Sequence, residues 1–304
     1  MDRSTDGPAL CGSQLGWAFG CSTRGASHQR NGKPCQDAVS IWSGTFLAEP
    51  VLVMAVADGH GDRRHDLSHR GAALAVEAGV EEVVQSLSAA ASGEPGTPAA
   101  PLTARVTDRW ARKVLADASA AGGENGSDPE GDPHPVLTRY GTTLLLAVAT
   151  RERILLAQMG DGDILFVRPD GRVESPLEKD PALFGSITHS LSSRNVQECW
   201  HTAEIPGSGG GVLLLATDGL SDSFAGPGEE EFQTFARSLV DRIREFGIER
   251  VAGSIPAWLD SFSRQGSGDD ISVALAWLDA DQAQGQDGGQ AREAETGAPG
   301  SEEG

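Results

Sequence analysis

Four short apolar runs in this chain each meet a carboxylate at one end. Val51–Ala57 (VLVMAVA) runs straight into Asp58, Ile154–Gly160 (ILLAQMG) into Asp161, and Val212–Ala216 (VLLLA) through Thr217 into Asp218. The fourth is reversed: Asp269 and Asp270 lead into Ile271–Trp277 (ISVALAW). Runs this short and this rich in Val, Ile and Leu read as strands, and they are far too short to cross a bilayer. An Asp-Gly pair after a strand makes a good turn, which explains any one of these features taken alone. Together they constrain the fold. If the last strand runs antiparallel to the other three, its start lies at the sheet edge where they end. Asp58, Asp161, Asp218 and Asp269 then meet at one rim. Carboxylates gathered in partly dehydrated surroundings repel one another, so such a cluster needs cations. All-oxygen ligation suits hard ions, Mn²⁺ or Mg²⁺, rather than zinc.

The remaining elements fill in around that rim. Trp17–Ser22 and Ala38–Trp42 read as strands, and Thr142–Thr150, Arg153–Met159 and Asp163–Arg168 as hairpin strands joined by short turns. Asp66–Leu87 has helical apolar spacing with Asp66 as candidate N-cap, Leu102–Ser119 is a short amphipathic segment, and helices are predicted at Glu229–Glu245 and Ile248–Ser263. This order is not a βαβ repeat. It predicts an α+β fold, a four-layer α-β-β-α sandwich of two antiparallel sheets flanked by helix pairs. Ser88–Pro101 and Ala120–Pro135 read as surface insertions, and Glu174–Ile205 as an irregular polar region too long for a simple connection. Residues 1–16 and the acidic stretch 280–304 are expected to be disordered, leaving 17–279 as the folded domain.

With 24 basic and 44 acidic residues, the net charge of −20 excludes nucleic acid and anionic membranes as partners. The N-terminus lacks an apolar signal core, and the cysteines at 11, 21, 35 and 199 form no CxxC pair. Reduced thiols, a cytoplasmic location and a monomer are expected.

Five motifs occur in one order: DGHG (Asp58–Gly61), YGTTLLLA (Tyr140–Ala147), GDGD (Gly160–Asp163), TDGL (Thr217–Leu220) and GDDISVA (Gly268–Ala274). With the upstream GASHQRNGKPCQDA (Gly25–Ala38), they resemble the metal-dependent protein phosphatases of the protein phosphatase 2C family, bacterial members above all. The resemblance covers roughly residues 17–279. It implies hydrolysis of phosphoserine and phosphothreonine in proteins by water activated at two Mn²⁺ or Mg²⁺ ions. Asp58 would bridge the ions with the Gly59 carbonyl directed at them, Asp218 and Asp269 would complete one ligand set, and Asp37 would support the other partly through water. His60 would be the general acid, and Asp161 holds the position of a third, weaker metal. A phosphorylated protein would be the substrate, with a Ser/Thr kinase as the opposing enzyme. The chemistry needs no protein nucleophile, because paired divalent ions bring a bound water toward hydroxide near neutral pH.

Three positions depart from the family pattern. Gln36-Asp37 stands where Glu-Asp is frequent, and Gly32 falls where an arginine usually grips phosphate, leaving Arg30, Lys33 or His28 as substitutes. Asp163 stands where an arginine is usual. Two rival functions follow: a catalytically weakened phosphoprotein-binding module of the same fold, or a hydrolase of small phosphate esters. His65 and His69, at i and i+4, lack a third zinc ligand at convincing spacing. No GxSxG elbow or P-loop is present. Trp110, Trp258 and Trp277 read as packing residues. In the family a mobile flap occupies the place of Glu174–Ile205, so that segment, with Lys179 and Arg194, is expected to line the substrate groove.

Overall fold

The computed structural model describes residues 9–92, 100–121, 132–177, 188–207, 209–224 and 230–280. Eleven strands form two sheets among these residues. One has the order β1 (Ala9–Ser13), β2 (Gly16–Thr23), β11 (Ile271–Leu278), β10 (Gly211–Ala216), β7 (Asp163–Val167) and β8 (Val173–Glu174). The other has the order β3 (Ala38–Phe46), β4 (Glu49–Ala57), β5 (Leu144–Ala149), β6 (Arg153–Met159) and β9 (His201–Pro206). Every pairing is antiparallel.

Period-two alternation explains why the central strands are apolar throughout. In β4, Leu52, Met54 and Val56 enter the layer between the sheets with Leu145, Phe166, Leu213 and Leu215. Val51, Val53, Ala55 and Ala57 face outward instead, against α2 (Ser68–Ser92) and α3 (Leu102–Ala120), where Trp110 is fully buried. On the other side, Leu165, Leu214 and Leu275 pack against α6 (Glu230–Phe246) and α7 (Ile248–Gln265), with Trp258 and Trp277 partly buried beside them. The four-layer α-β-β-α sandwich is therefore present. Three short helices complete it: α1 (Ala26–Asn31), α4 (His134–Arg139) and α5 (Asp218–Ser221). No helix among the described residues is long and apolar enough to cross a membrane.

Several expectations need correction. The stretch 1–16 is not wholly disordered: β1 lies along β2 from Ala9 opposite Gly20 to Ser13 opposite Gly16. A main-chain ladder holds it, which composition does not reveal. Glu174–Ile205 is not irregular to its end, because β9 adds an edge strand to β6. α2 starts at Ser68, and Asp66 pairs with Arg139 at 2.7 Å instead of capping it. The insertion at 88–101 shrinks because α2 continues to Ser92, and α4 begins inside the one at 120–135. The expected tail from 281 onward, residues 1–8 and Lys179 lie outside the described residues.

Candidate metal centre

The rim forms as the strand directions require. Ala216, at the end of β10, pairs with Val273 near the start of β11 and with Asp163 at the start of β7. This brings Asp218, Asp269 and Asp161 to one edge. Asp58 comes from the other sheet, where Ala57 lies opposite Ala38, the residue after Asp37. Its backbone is clamped by the YGTT motif: its N–H donates to Thr143 Oγ1 (2.9 Å), and its carbonyl accepts from Thr142 Oγ1 (2.7 Å) and the Thr143 N–H (2.8 Å). Gly59 must be glycine, since a Cβ there would lie 2.6 Å from the Gln36 carbonyl oxygen and 2.8 Å from the Ser68 backbone.

Burial and mutual repulsion push the carboxyl groups of Asp37, Asp58 and Asp218 up in pKa. Asp58 is raised by burial and then by Asp37, Asp218 and Asp269. Asp37, 9% exposed, is raised by burial and by Asp270, although the Thr217 hydroxyl donates to it at 2.9 Å. Asp218 rises to about 7 through burial, then the charge of Asp161, and it shares a hydrogen bond with Asp58. A hydrogen bond between two carboxyl groups requires that one of them be protonated. Among the described residues no Lys or Arg pairs with Asp37, Asp58, Asp218 or Asp269.

The residues fit a pair of hard divalent ions. The available donors are carboxylates, with the Gly59 carbonyl as a further candidate, and among the described residues no Lys or Arg pairs with Asp37, Asp58, Asp218 or Asp269. In addition, Gln36 Oε1 is buried beside Asp37 without a hydrogen-bond donor. Asp161 accepts from the Thr188 hydroxyl at the edge of the cluster.

Other expected site residues sort differently. Burial and the neighbouring His65 ring (centroids 4.9 Å apart) lower His60 to about 4, which holds its imidazole neutral at pH 7. His28 is buried, with Nδ1 2.8 Å from Asp270 Oδ2, so it is not a free phosphate clamp. Arg30 and Lys33 are exposed, and Lys33 Nζ lies 3.4 Å from the Gly61 carbonyl in the DGHG loop. Gly32, at φ +68°, faces open space. Asp163 is buried at the start of β7 rather than projecting over the rim. His65 sits in a 3-10 turn and His69 in α2, so they share no helix face. All four cysteines are free thiols; burial first, then Asp37 and Asp270, pushes Cys35 far up, leaving it no role as nucleophile.

Sequence reasoning missed four contributors. Asp270, 3% exposed, accepts the N–H groups of Gly25 and Gln36, both at 2.6 Å, tying the first motif to β11. Asp222 adds to the repulsion at Asp218. Ser190 and Leu191, where the flap segment returns, bond the Thr142 backbone. The GDD doublet signalled the first; nothing local signalled the others.

Known proteins share this architecture. Solved structures similar in fold include the magnesium complex of RsbX (14% identity, TM-score 0.54, covering 90% of this chain and 100% of that one). The catalytic domain of the serine/threonine phosphatase PstP with two manganese ions is similar at 20% identity and TM-score 0.51, covering 87% and 98%. Stp1 from Staphylococcus aureus is similar at 16% identity and TM-score 0.55, covering 92% and 100%. No protein of curated function matches the sequence. The family model for protein phosphatase 2C matches residues 24–260, and the chain belongs to that family.

Proposed function

We propose that this chain hydrolyses phosphoserine and phosphothreonine esters in proteins at a binuclear Mn²⁺ or Mg²⁺ centre. The observation that carries it is the convergence of Asp37, Asp58, Asp218 and Asp269 from four separate segments, with no Lys or Arg among the described residues paired to them. Asp58 would bridge both ions with the Gly59 carbonyl beside it, Asp218 and Asp269 would complete one site, Asp37 would support the other through water, and Asp161 would hold a third ion. When bound, the ions would supply an activated water and neutralise charge on the phosphoryl oxygens. The Thr142–Thr143 clamp fixes the Asp58 backbone so that its carboxylate need not reorganise. Lys33, exposed beside the DGHG loop, is the cation best sited to meet a phosphate in place of the arginine missing at Gly32. His60 is the proposed acid for the departing oxygen. The protein would act in the cytoplasm as a monomer, opposing a Ser/Thr kinase.

The flap segment would select among phosphoproteins, because the rim itself recognises only phosphate. Replacing 178–187 by a Gly-Ser turn leaves Thr188–Ser193, which bond Asp161 and Thr142, in place. Turnover of a phosphopeptide should fall strongly while that of a small aryl phosphate is kept. Equal turnover of both by the unaltered chain would favour a small-ester hydrolase. The weakened binding module draws its support from Gly32, which brings no side chain to the phosphate. A phosphopeptide assay with and without Mn²⁺, repeated after chelation, decides: metal-dependent turnover supports the enzyme, and phosphopeptide binding without turnover supports the module.

A further inference from the structure

His60 and His65 form a closed circuit with the YGTT motif. His65 stands in the 3-10 turn Arg63–His65, just after the DGHG loop. Its Nδ1 lies 2.5 Å from the Thr138 carbonyl oxygen on α4. A carbonyl only accepts hydrogen bonds, so Nδ1 carries a proton and donates, whether the ring is neutral or charged. The same carbonyl accepts the Gly141 N–H at 3.1 Å, and the Gly141 carbonyl accepts the His60 N–H at 3.2 Å. The two rings close the circuit, with centroids 4.9 Å apart and planes tilted by 59°. Gly141 fits against both: a Cβ there would lie 2.4 Å from His65 Nδ1 and 3.0 Å from His60 Cδ2, which leaves no room for a side chain.

The two histidines are held differently. His65 is fixed at its ring and at its backbone, where its N–H donates to the Asp62 carbonyl at 2.9 Å. The His60 ring makes no hydrogen bond among the described residues, so its side-chain angles are set by packing against the His65 ring and Gly141. Without that packing the imidazole has several staggered rotamers open to it. A general acid works only when its proton is aimed at the oxygen that leaves.

We infer that His65 is a positioning residue, which holds the His60 imidazole in the one orientation that protonates the departing seryl or threonyl oxygen. The inference rests on the function proposed above. As the P–O bond to that oxygen breaks, the electron pair stays on the oxygen, which takes its proton from His60, and the ring recovers one from solvent. The need for this proton depends on the leaving group. A seryl alkoxide is strongly basic and leaves poorly without it, whereas a nitrophenolate leaves unprotonated.

Steady-state kinetics of the full chain with Mn²⁺, on a phosphoserine peptide and on p-nitrophenyl phosphate, test it. His65→Asn keeps a donor for Thr138 but removes the ring beside His60. It should lower kcat on the phosphopeptide by about three- to tenfold with KM unchanged, and leave kcat on the nitrophenyl ester as it was. In a His60→Gln background His65→Asn should cost nothing further, because the group it holds is gone. Nuclear magnetic resonance of wild-type protein labelled at histidine keeps the test decisive if the variant does not fold: cross-relaxation between the two rings is expected, and its absence overturns the inference. Equal losses on both substrates, the same loss with and without His60, or no loss at all also overturn it and leave the metal centre standing. Absence of Mn²⁺-dependent turnover by the wild type overturns the proposed function and the inference together.

Discussion

Two sets of buried carboxylates in this protein are treated in opposite ways. Glu82, on α2, is 6% exposed and held by Arg105 Nε at 2.8 Å and Arg109 Nη2 at 2.7 Å, and these guanidinium groups lower its pKa despite burial. Asp37 is buried and Asp58 and Asp218 are partly buried, yet among the described residues no Lys or Arg pairs with them, and their pKa values rise. A buried charge neutralised by the chain braces two helices. Buried charges left for something else to neutralise define a site. The difference lies in the partner, not in the carboxylate, and it is measurable.

The sharpest contrast is in activity. Asp58→Asn should lower Mn²⁺-dependent phosphopeptide turnover by about a thousandfold or more, since a bridging charge serves both ions, and about 4 kcal/mol of transition-state stabilisation corresponds to that factor. Glu82→Gln should leave the rate per folded molecule unchanged. His60→Gln should cost only about tenfold at pH 7, less than a fully protonated general acid would, because burial keeps most of the imidazole neutral. Steady-state kinetics on folded fractions check all three, and a wild-type rate for Asp58→Asn breaks the contrast.

Stability should change in opposite directions. Glu82→Gln leaves Arg105 and Arg109 partly unpaired in the α2–α3 interface and should cost about 3 kcal/mol, or about 6–12 °C in melting temperature. Asp58→Asn should raise the melting temperature of metal-free protein, because it removes repulsion. Equal losses in calorimetry would erase the distinction between the two sets.

A smaller effect concerns pH. Asp218 titrates near 7 in the fold against an ordinary value of 3.8, so the folded state holds more protons than the unfolded one between those limits. Metal-free stability must therefore fall as pH rises from about 4 to about 7. Mn²⁺ displaces the shared proton and removes this penalty, so the melting-temperature gain from Mn²⁺ should be larger at pH 7.5 than at pH 5. A gain independent of pH would mean that the carboxylates do not bind the ion.

Much of this was legible in the sequence for a local reason. Strands such as Val51–Ala57, buried on both faces, must be apolar throughout, so an acidic residue at their end stands out. Antiparallel order then forces those ends together. What escaped has no local signature. β1 and β9 are edge strands held by main-chain bonds, and β9 alternates exposed and partly buried positions within a polar stretch. α1 has no side-chain cap and only six residues. The His28–Asp270 contact spans 242 positions, and the Thr143 clamp on Asp58 spans 85, so neither can be read from spacing. The paired arginines of Glu82 lie on another helix, which is why burial alone could not separate brace from site.

Calorimetric titration of the full chain with Mn²⁺ at pH 6.5, in buffers of differing ionisation enthalpy, reads binding and proton release together. If the rim carboxylates form a metal centre, two ions bind saturably with release of about one proton, the one shared by Asp58 and Asp218, and Asp58→Asn abolishes that release. Saturable binding without proton release, or no saturable binding at all, would contradict the account.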